Sequence, residues 1–206
     1  MIKNKVLSVI FKVIIVIMGI YGLLDTSGLL SGVINDRFLL FFTNLSNLMV
    51  VIYFIGELIY LILNRDDRHP TWLPTFKHIC VVSMMVTCLI AHFMLESSFT
   101  LDLIFLHYLV PIMTLLDWLL FDEKHLMNKY SPFISIIPAY VYLIFTYIRI
   151  FIFNDNWYPY PFLNIDNLGI INVLVTILLL TIGFIVLGYI LYFIDSHIKS
   201  HERNYY

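Results

Sequence analysis

The chain has 206 residues, of which 61% are apolar and only 13% are charged, whereas soluble domains carry about twice that charged fraction. This composition excludes an ordinary soluble protein and predicts one all-α integral membrane domain over residues 1–206. The formal net charge of −2 comes without a basic cluster, so we expect no nucleic-acid partner.

Six apolar segments follow one another, separated by short polar breaks. A helix needs about 20 residues to cross a bilayer, and we predict six such helices over residues 6–24, 38–63, 74–95, 101–121, 132–153 and 168–194. The first segment follows the basic start "MIKNK". Because no small-residue cleavage site comes after it, we expect a retained helix rather than a signal peptide.

The distribution of basic residues predicts the orientation of these helices. Only Arg37 and Arg149 fall at the ends of the segments that we assign to the outer side. The other ten basic residues fall at the opposite ends: Lys3, Lys5, Lys12, Arg65, Arg68, Lys77, Lys124, Lys129, Lys199 and Arg203. Because Lys and Arg accumulate in cytoplasmic loops, we predict that both termini are cytoplasmic.

The two cysteines suggest no redox chemistry. Cys80 and Cys88 are eight residues apart on one predicted helix, about 12 Å along its axis, which is too far for a disulfide. We interpret them as core residues and expect no metal ion and no cofactor.

A layer of polar residues lies at one predicted depth. At 1.5 Å per helical residue, five positions from five different helices fall about 6–9 Å below the outer boundary: Thr43, His92, His107, Arg149 and Asn172. Polar groups at membrane depth cost free energy, and ionisable ones usually face the interior of a helix bundle or a water-filled cavity. The layer is therefore the candidate functional site.

The stretch "FFTNLSN" gives this layer its chemistry. Thr43, Ser46 and Asn47 share one helix face, and Asn44 is turned about 100° away. A hydroxyl beside amide donors suits acyl transfer, which needs a nucleophile and N–H groups for the oxyanion. His107 is the candidate base, because imidazole titrates in the useful range.

Pro111 follows His107 by four residues and cannot donate a hydrogen bond to its carbonyl, so we expect a kink beside the histidine. Asp102 lies five residues before His107, on another face of a regular α-helix. We therefore expect no acidic residue to orient the imidazole.

Structural roles stay open for several of these residues. Thr43 could bond the carbonyl of Leu39 four residues earlier, and Ser46 and Asn47 could simply join helices. Arg149 could extend to the outer interface.

A second polar set lies toward the cytoplasmic ends of the helices: Lys12, Glu57 and Asp117. We expect these charges to pair and to fix helix register. The alternative is a proton path in a transporter, although the chain has no internal repeat and no pair of Gly/Pro-broken helices.

Four stretches carry a resemblance to a known family. "FFTNLSN", "LHYLVPIMTLLDWLLFD", "PAYVYLIFTYIRIF" and "WYPYPFL" occur in an order that resembles bacterial relatives of the androgen-induced protein family. The resemblance implies a six-helix membrane fold in a bacterial plasma membrane. It also implies a threonine hydrolase of fatty acid esters of hydroxy fatty acids, with the essential threonine at Thr43 and the essential histidine at His107.

The sequence thus predicts a hydrolase of lipid esters that takes its substrate from the outer leaflet. Thr43 is the predicted nucleophile and His107 the predicted base. Five residues are predicted to bind the oxyanion or the substrate: Asn44, Asn47, His92, Arg149 and Asn172. The alternatives are a transporter, a haem or metal protein that uses His92 and His107, and a membrane protein without catalysis.

Overall fold

The structure is a computed structural model that describes residues 4–64, 71–95 and 100–198. Over these residues the chain is helical and contains no strand. Six helices are long and apolar enough to cross a membrane: α1 Lys5–Thr26, α2 Phe42–Leu63, α3 Pro74–Met94, α4 Leu101–Phe121, α5 Ser131–Ile152 and α6 Ile170–His197. The predicted all-α fold, with six helices long and apolar enough to cross a membrane, is confirmed.

Two predicted helix starts are wrong by a few residues. Residues Phe38–Leu40 form a 3₁₀ turn, and α2 begins only at Phe42 after an extended Phe41. Gly169, with φ of 76°, separates the one-turn helix Ile165–Leu168 from α6. Hydropathy misses both features because Phe38–Leu40 is entirely apolar and Gly169 lies between the apolar residues Leu168 and Ile170.

The connections define two ends of the bundle. At the end that we call the Thr43 end, the α1–α2 connection meets the α5–α6 connection, where Arg37 lies over the ring of Trp157 at 4.6 Å. At the opposite, terminal end, the Lys5 ammonium donates to the carbonyl of Asn64. The side of the membrane that each end faces stays a prediction. Part of the charge pattern behind it lies outside the described residues: Lys3, Arg65, Arg68, Glu96, Lys199 and Arg203.

The six helices differ in burial. α3 is the most buried and α6 the least, so α3 is central and α6 is peripheral. Close contacts at glycines set the spacing: a Cβ on Gly22 of α1 would meet the side chain of Leu106 at 2.7 Å, and one on Gly188 of α6 would meet Cα of Pro132 at 2.9 Å. These contacts bring α1 against α4 and α6 against the start of α5.

Five buried charged residues at the terminal end form what we call the ionic cluster: Lys12, Glu57, Lys77, Asp117 and Asp122. The Lys12 ammonium lies 2.7 Å from Asp117 and 3.8 Å from Glu57, which confirms the predicted pairing. Lys77 lies 2.5 Å from Asp117, 3.3 Å from Glu57 and 3.7 Å from Asp122. The cluster thus ties four helices together.

The sequence interpretation misses two members of the cluster. The charge pattern places Lys77 at the flank of a loop, but this residue lies in the first turn of α3 and is fully buried. Asp122 follows the last residue of α4, and burial raises the pKa of its carboxyl.

Glu57, Asp117 and Asp122 have the spacing of metal ligands, with oxygens within 4.8 Å of one another. The Lys77 ammonium lies close to all three, so the carboxylates are already paired.

Candidate functional site

A cavity of about 700 Å³ opens at the Thr43 end of the bundle. We call it the polar cavity, since seven of its lining residues carry polar side chains: Thr26, Asn35, Thr43, Asn44, Asp102, His107 and Tyr160. These residues come from α1, the α1–α2 connection, α2, α4 and the α5–α6 connection. The volume is within the range of about 300–1,000 Å³ that is typical of small-molecule sites.

Thr43 is held by its contact with Tyr160. Because α2 begins at Phe42, Thr43 lies in the first turn, where backbone N–H groups have no partner within the helix. Its N–H donates to the hydroxyl of Tyr160 at 3.3 Å, and its Oγ1 lies 3.4 Å from the same hydroxyl. The Thr43 hydroxyl therefore contacts Tyr160, not the Leu39 carbonyl that the sequence offers as an alternative.

Tyr160 is the site residue that the sequence interpretation misses. The stretch "WYPYPF" has the composition of an interfacial loop, yet Tyr160 is buried and its ring stacks on Phe162 with centroids 5.1 Å apart. Pro159 and Pro161 flank it, and their fixed φ angles restrict the backbone on both sides. Burial raises the pKa of Tyr160, so its hydroxyl stays protonated at neutral pH.

A π-helical turn shapes the surroundings of His107. Residues Phe105–Leu109 form this turn, and the N–H of Val110 donates to the carbonyl of Phe105, five residues earlier. Pro111 follows Val110 in the sequence. The helix irregularity that we expected near this proline is therefore a π turn and not a simple kink. Such turns occur frequently at functional sites.

The π turn corrects the prediction for Asp102. The i to i+5 repeat of a π turn brings residues five apart toward the same side, and Asp102 and His107 line the same cavity. The expectation that Asp102 lies off the face of His107 is therefore wrong, because it assumed an uninterrupted α-helix. Among the described residues, His107 Nδ1 is buried without a hydrogen-bond partner, which is unusual for a structural histidine.

The two asparagines of "FFTNLSN" have different roles. Asn44 lines the polar cavity, and its amide donates to the carbonyl of Phe38 at 2.8 Å. The amide of Asn47 donates to the carbonyls of Thr43 at 2.8 Å and Leu106 at 3.1 Å. Asn47 does not line the polar cavity, so the predicted oxyanion role does not fit this geometry. It instead joins α2 to α4 beside His107.

Arg149 supports the site from outside. Its guanidinium pairs with Asp155 and donates to the carbonyl of Trp157 at 2.5 Å. These contacts anchor the connection that carries Tyr160. Because Arg149 does not line the polar cavity, the predicted pairing with a substrate anion is not supported.

His92 and Asn172 lie at the predicted depth but on other faces of their helices. Both are exposed, His92 with its ring 6.3 Å from that of Tyr108, and Asn172 with its amide donating to the carbonyl of Leu168. Neither lines the polar cavity, so the substrate-binding roles predicted for them do not fit. The alternative of a haem or metal between His92 and His107 is not supported either, because only His107 faces the cavity.

No protein-family model, curated protein or solved structure matches the chain. The resemblance to the androgen-induced protein family therefore stays a prediction.

Proposed function

We propose that this protein is a membrane-embedded hydrolase of lipid esters, with Thr43 as the nucleophile and His107 as the general base. One observation carries the proposal: Thr43 of α2 and His107 of α4 line the same cavity of ligand size. A hydroxyl, an imidazole and a carboxylate in one cavity are the groups that acyl transfer needs.

The proposed reaction has two steps. Thr43 Oγ1 attacks the ester carbonyl carbon while His107 takes the hydroxyl proton, and the tetrahedral intermediate then releases the alcohol, which receives that proton. A water molecule then attacks the acyl-threonine, with His107 again as the base. This second step releases the fatty acid and restores the Thr43 hydroxyl.

Three groups around Thr43 suit the developing oxyanion. The first turn of α2 provides the positive end of the helix dipole, and the Tyr160 hydroxyl stays protonated. Asn44 lines the polar cavity, and its amide has a second N–H besides the one that it donates to the Phe38 carbonyl. Donors that are fixed before the reaction are often the largest contribution to such catalysis. Asp102 lines the same cavity as His107, where its negative charge would stabilise the protonated imidazole.

The proposed substrate reaches the site from the membrane, because the six helices present apolar residues on their outer faces. Fatty acid esters of hydroxy fatty acids are the proposed class, as the resemblance implies. We propose a bacterial plasma membrane with both termini in the cytoplasm, which places the polar cavity in the outer-leaflet half.

A fluorophosphonate probe tests the nucleophile, since an activated hydroxyl displaces its fluoride and becomes labelled. In isolated membranes we expect labelling of the wild type, none of Thr43→Ala, and a rate lower by about 100-fold or more in His107→Ala. His92→Ala is the matched control and should label like the wild type, because His92 is exposed outside the cavity. If the wild type labels no more than Thr43→Ala and turns over no lipid ester, the hydrolase proposal is wrong.

The same reaction tests the orientation. A membrane-impermeant fluorophosphonate should label Thr43 in intact cells as fully as in opened membranes. Labelling that requires opened membranes would show that the termini face outward.

A further inference from the structure

A second, apolar cavity lies next to Thr43. Its volume is about 60 Å³, and α2, α3, α5, α6 and the α5–α6 connection all contribute to its lining. Thr43 and Tyr160 line this cavity as well as the polar one. The candidate nucleophile therefore lies at the boundary between a polar and an apolar cavity.

The apolar cavity is elongated along the helices. On α6 its lining runs from Ile177 to Phe184, which are seven residues or about 10 Å apart. Ile177 is itself about 10 Å below the first residue of α6, so the cavity extends from the level of the polar layer toward the middle of the membrane. This is the direction in which the acyl chain of a lipid runs.

The cavity reaches the lipid-facing surface between α5 and α6. Tyr140 lines it and is nevertheless 42% exposed. The Tyr140 hydroxyl lies 3.0 Å from Oγ1 of Thr181 and so connects the two helices beside the cavity. A volume of about 60 Å³ is less than half of the ~150 Å³ cavity that holds a benzene molecule. A chain of more than a few carbons therefore has to leave through the gap between α5 and α6.

We propose that the apolar cavity binds the first carbons of one unbranched acyl chain, whose remaining carbons lie between α5 and α6. The inference rests on the proposed hydrolase activity and specifies its substrate. The carbonyl carbon of an ester lies between an apolar acyl chain and the alcohol oxygen. Thr43 likewise lies between the apolar cavity and the polar cavity. The alcohol part then occupies the larger polar cavity. The substrate class is an ester of a straight-chain fatty acid with a bulkier or more polar alcohol.

Ala139 provides the variant for a test. It lines the apolar cavity on α5, and Ala139→Phe fills that space. Val141 is 60% exposed on the same helix and does not line the cavity, so Val141→Phe is the matched control. On α6, Ile177→Phe and its exposed neighbour Leu178→Phe form a second pair.

The measurement is the labelling rate of Thr43 with two fluorophosphonates, one with an octyl and one with an ethyl chain. We expect the cavity-filling variants to slow octyl labelling by about tenfold or more, while the ethyl probe reacts as with the wild type and shows that each variant is folded. The controls should match the wild type with both probes.

The possible outcomes separate the two proposals. If the cavity-filling variants label normally with both probes, or lose both equally while a control does not, the acyl-chain assignment is wrong and the hydrolase proposal stands. If the wild type reacts with neither probe, the hydrolase proposal fails and the acyl-chain assignment fails with it.

Discussion

At the residue scale, the contact between Thr43 and Tyr160 organises the candidate nucleophile. The Tyr160 oxygen accepts the Thr43 N–H, so its own proton is free to be donated to Thr43 Oγ1. The proton of the threonine hydroxyl can then turn toward the polar cavity, where His107 lies. Tyr160 is therefore expected to position the nucleophile and to stabilise negative charge on the oxygens around it.

Replacing Tyr160 by Phe removes this hydroxyl and keeps the ring. We expect fluorophosphonate labelling to slow by about fivefold, the effect of losing one hydrogen bond of about 1 kcal/mol. Tyr158→Phe, two residues earlier and outside both cavities, should label at the wild-type rate. Equal rates for the wild type and Tyr160→Phe would show that the hydroxyl only packs against Thr43.

The residues of the site are predictable to different degrees. Thr43 and His107 are found from the sequence because polar groups inside apolar segments are conspicuous. The predicted depth in the membrane does not show which other residues line the cavity with Thr43, because it does not indicate the helix face on which His92 or Asn172 lies. Tyr160 is missed because an aromatic residue in a loop between membrane helices has an ordinary interfacial interpretation.

At the scale of elements, α5 and α6 approach each other most closely at the terminal end. A Cβ on Gly188 would lie 2.9 Å from Cα and 3.0 Å from Cβ of Pro132, and neither atom belongs to a flexible side chain. This contact fixes one end of the helix pair, while the gap that we assign to an acyl chain lies farther along the same helices.

Gly188→Ala should destabilise the protein by about 1–3 kcal/mol, the usual cost of overpacking. Gly183 lies on the same helix, and a Cβ added there would meet nothing within 4 Å, so Gly183→Ala should unfold at the wild-type temperature or above it. Thermal unfolding in detergent measures both. An unchanged unfolding temperature for Gly188→Ala would show that α6 shifts at little cost.

The helices themselves are predictable because each contains an apolar run long enough to cross a bilayer. Their local irregularities are not. Phe38–Leu40 is as apolar as α2, so composition cannot separate the 3₁₀ turn from the helix. Pro111 indicates a disturbance in α4, but the resulting π turn depends on packing that a single sequence does not reveal.

At the scale of the whole molecule, the ionic cluster is the main polar connection among α1, α2, α3 and α4. Three carboxyl groups face two ammonium groups, so full ionisation would leave one negative charge in excess. Asp122 lies at the edge of this group, and burial raises the pKa of its carboxyl.

This raised pKa gives stability a defined pH dependence. The folded protein binds the Asp122 proton more tightly than the unfolded chain does. The resulting stability is complete below the ordinary aspartate pKa and is lost as the pH rises through the raised value. Asp122→Asn cannot ionise, so its unfolding temperature should fall less than that of the wild type as the pH rises from the ordinary aspartate range to pH 8.

Unfolding temperatures in detergent across this range provide the measurement. Asp36→Asn, at an exposed carboxyl, should keep the wild-type slope. A steeper fall with pH in Asp122→Asn than in the wild type would contradict the assignment.

The arrangement of the ionic cluster also bears on how the chain enters the membrane. Lys12 and Glu57 belong to α1 and α2, and Lys77 and Asp117 belong to α3 and α4. In the first hairpin Lys12 faces Glu57, and in the second Lys77 faces both Asp117 and Asp122. Each of these two successive hairpins thus contains an ammonium group that pairs with a carboxyl group of the same hairpin. The contact between Lys12 and Asp117 then joins the first hairpin to the second, so the order of synthesis is also an order in which no buried charge has to wait for a distant partner.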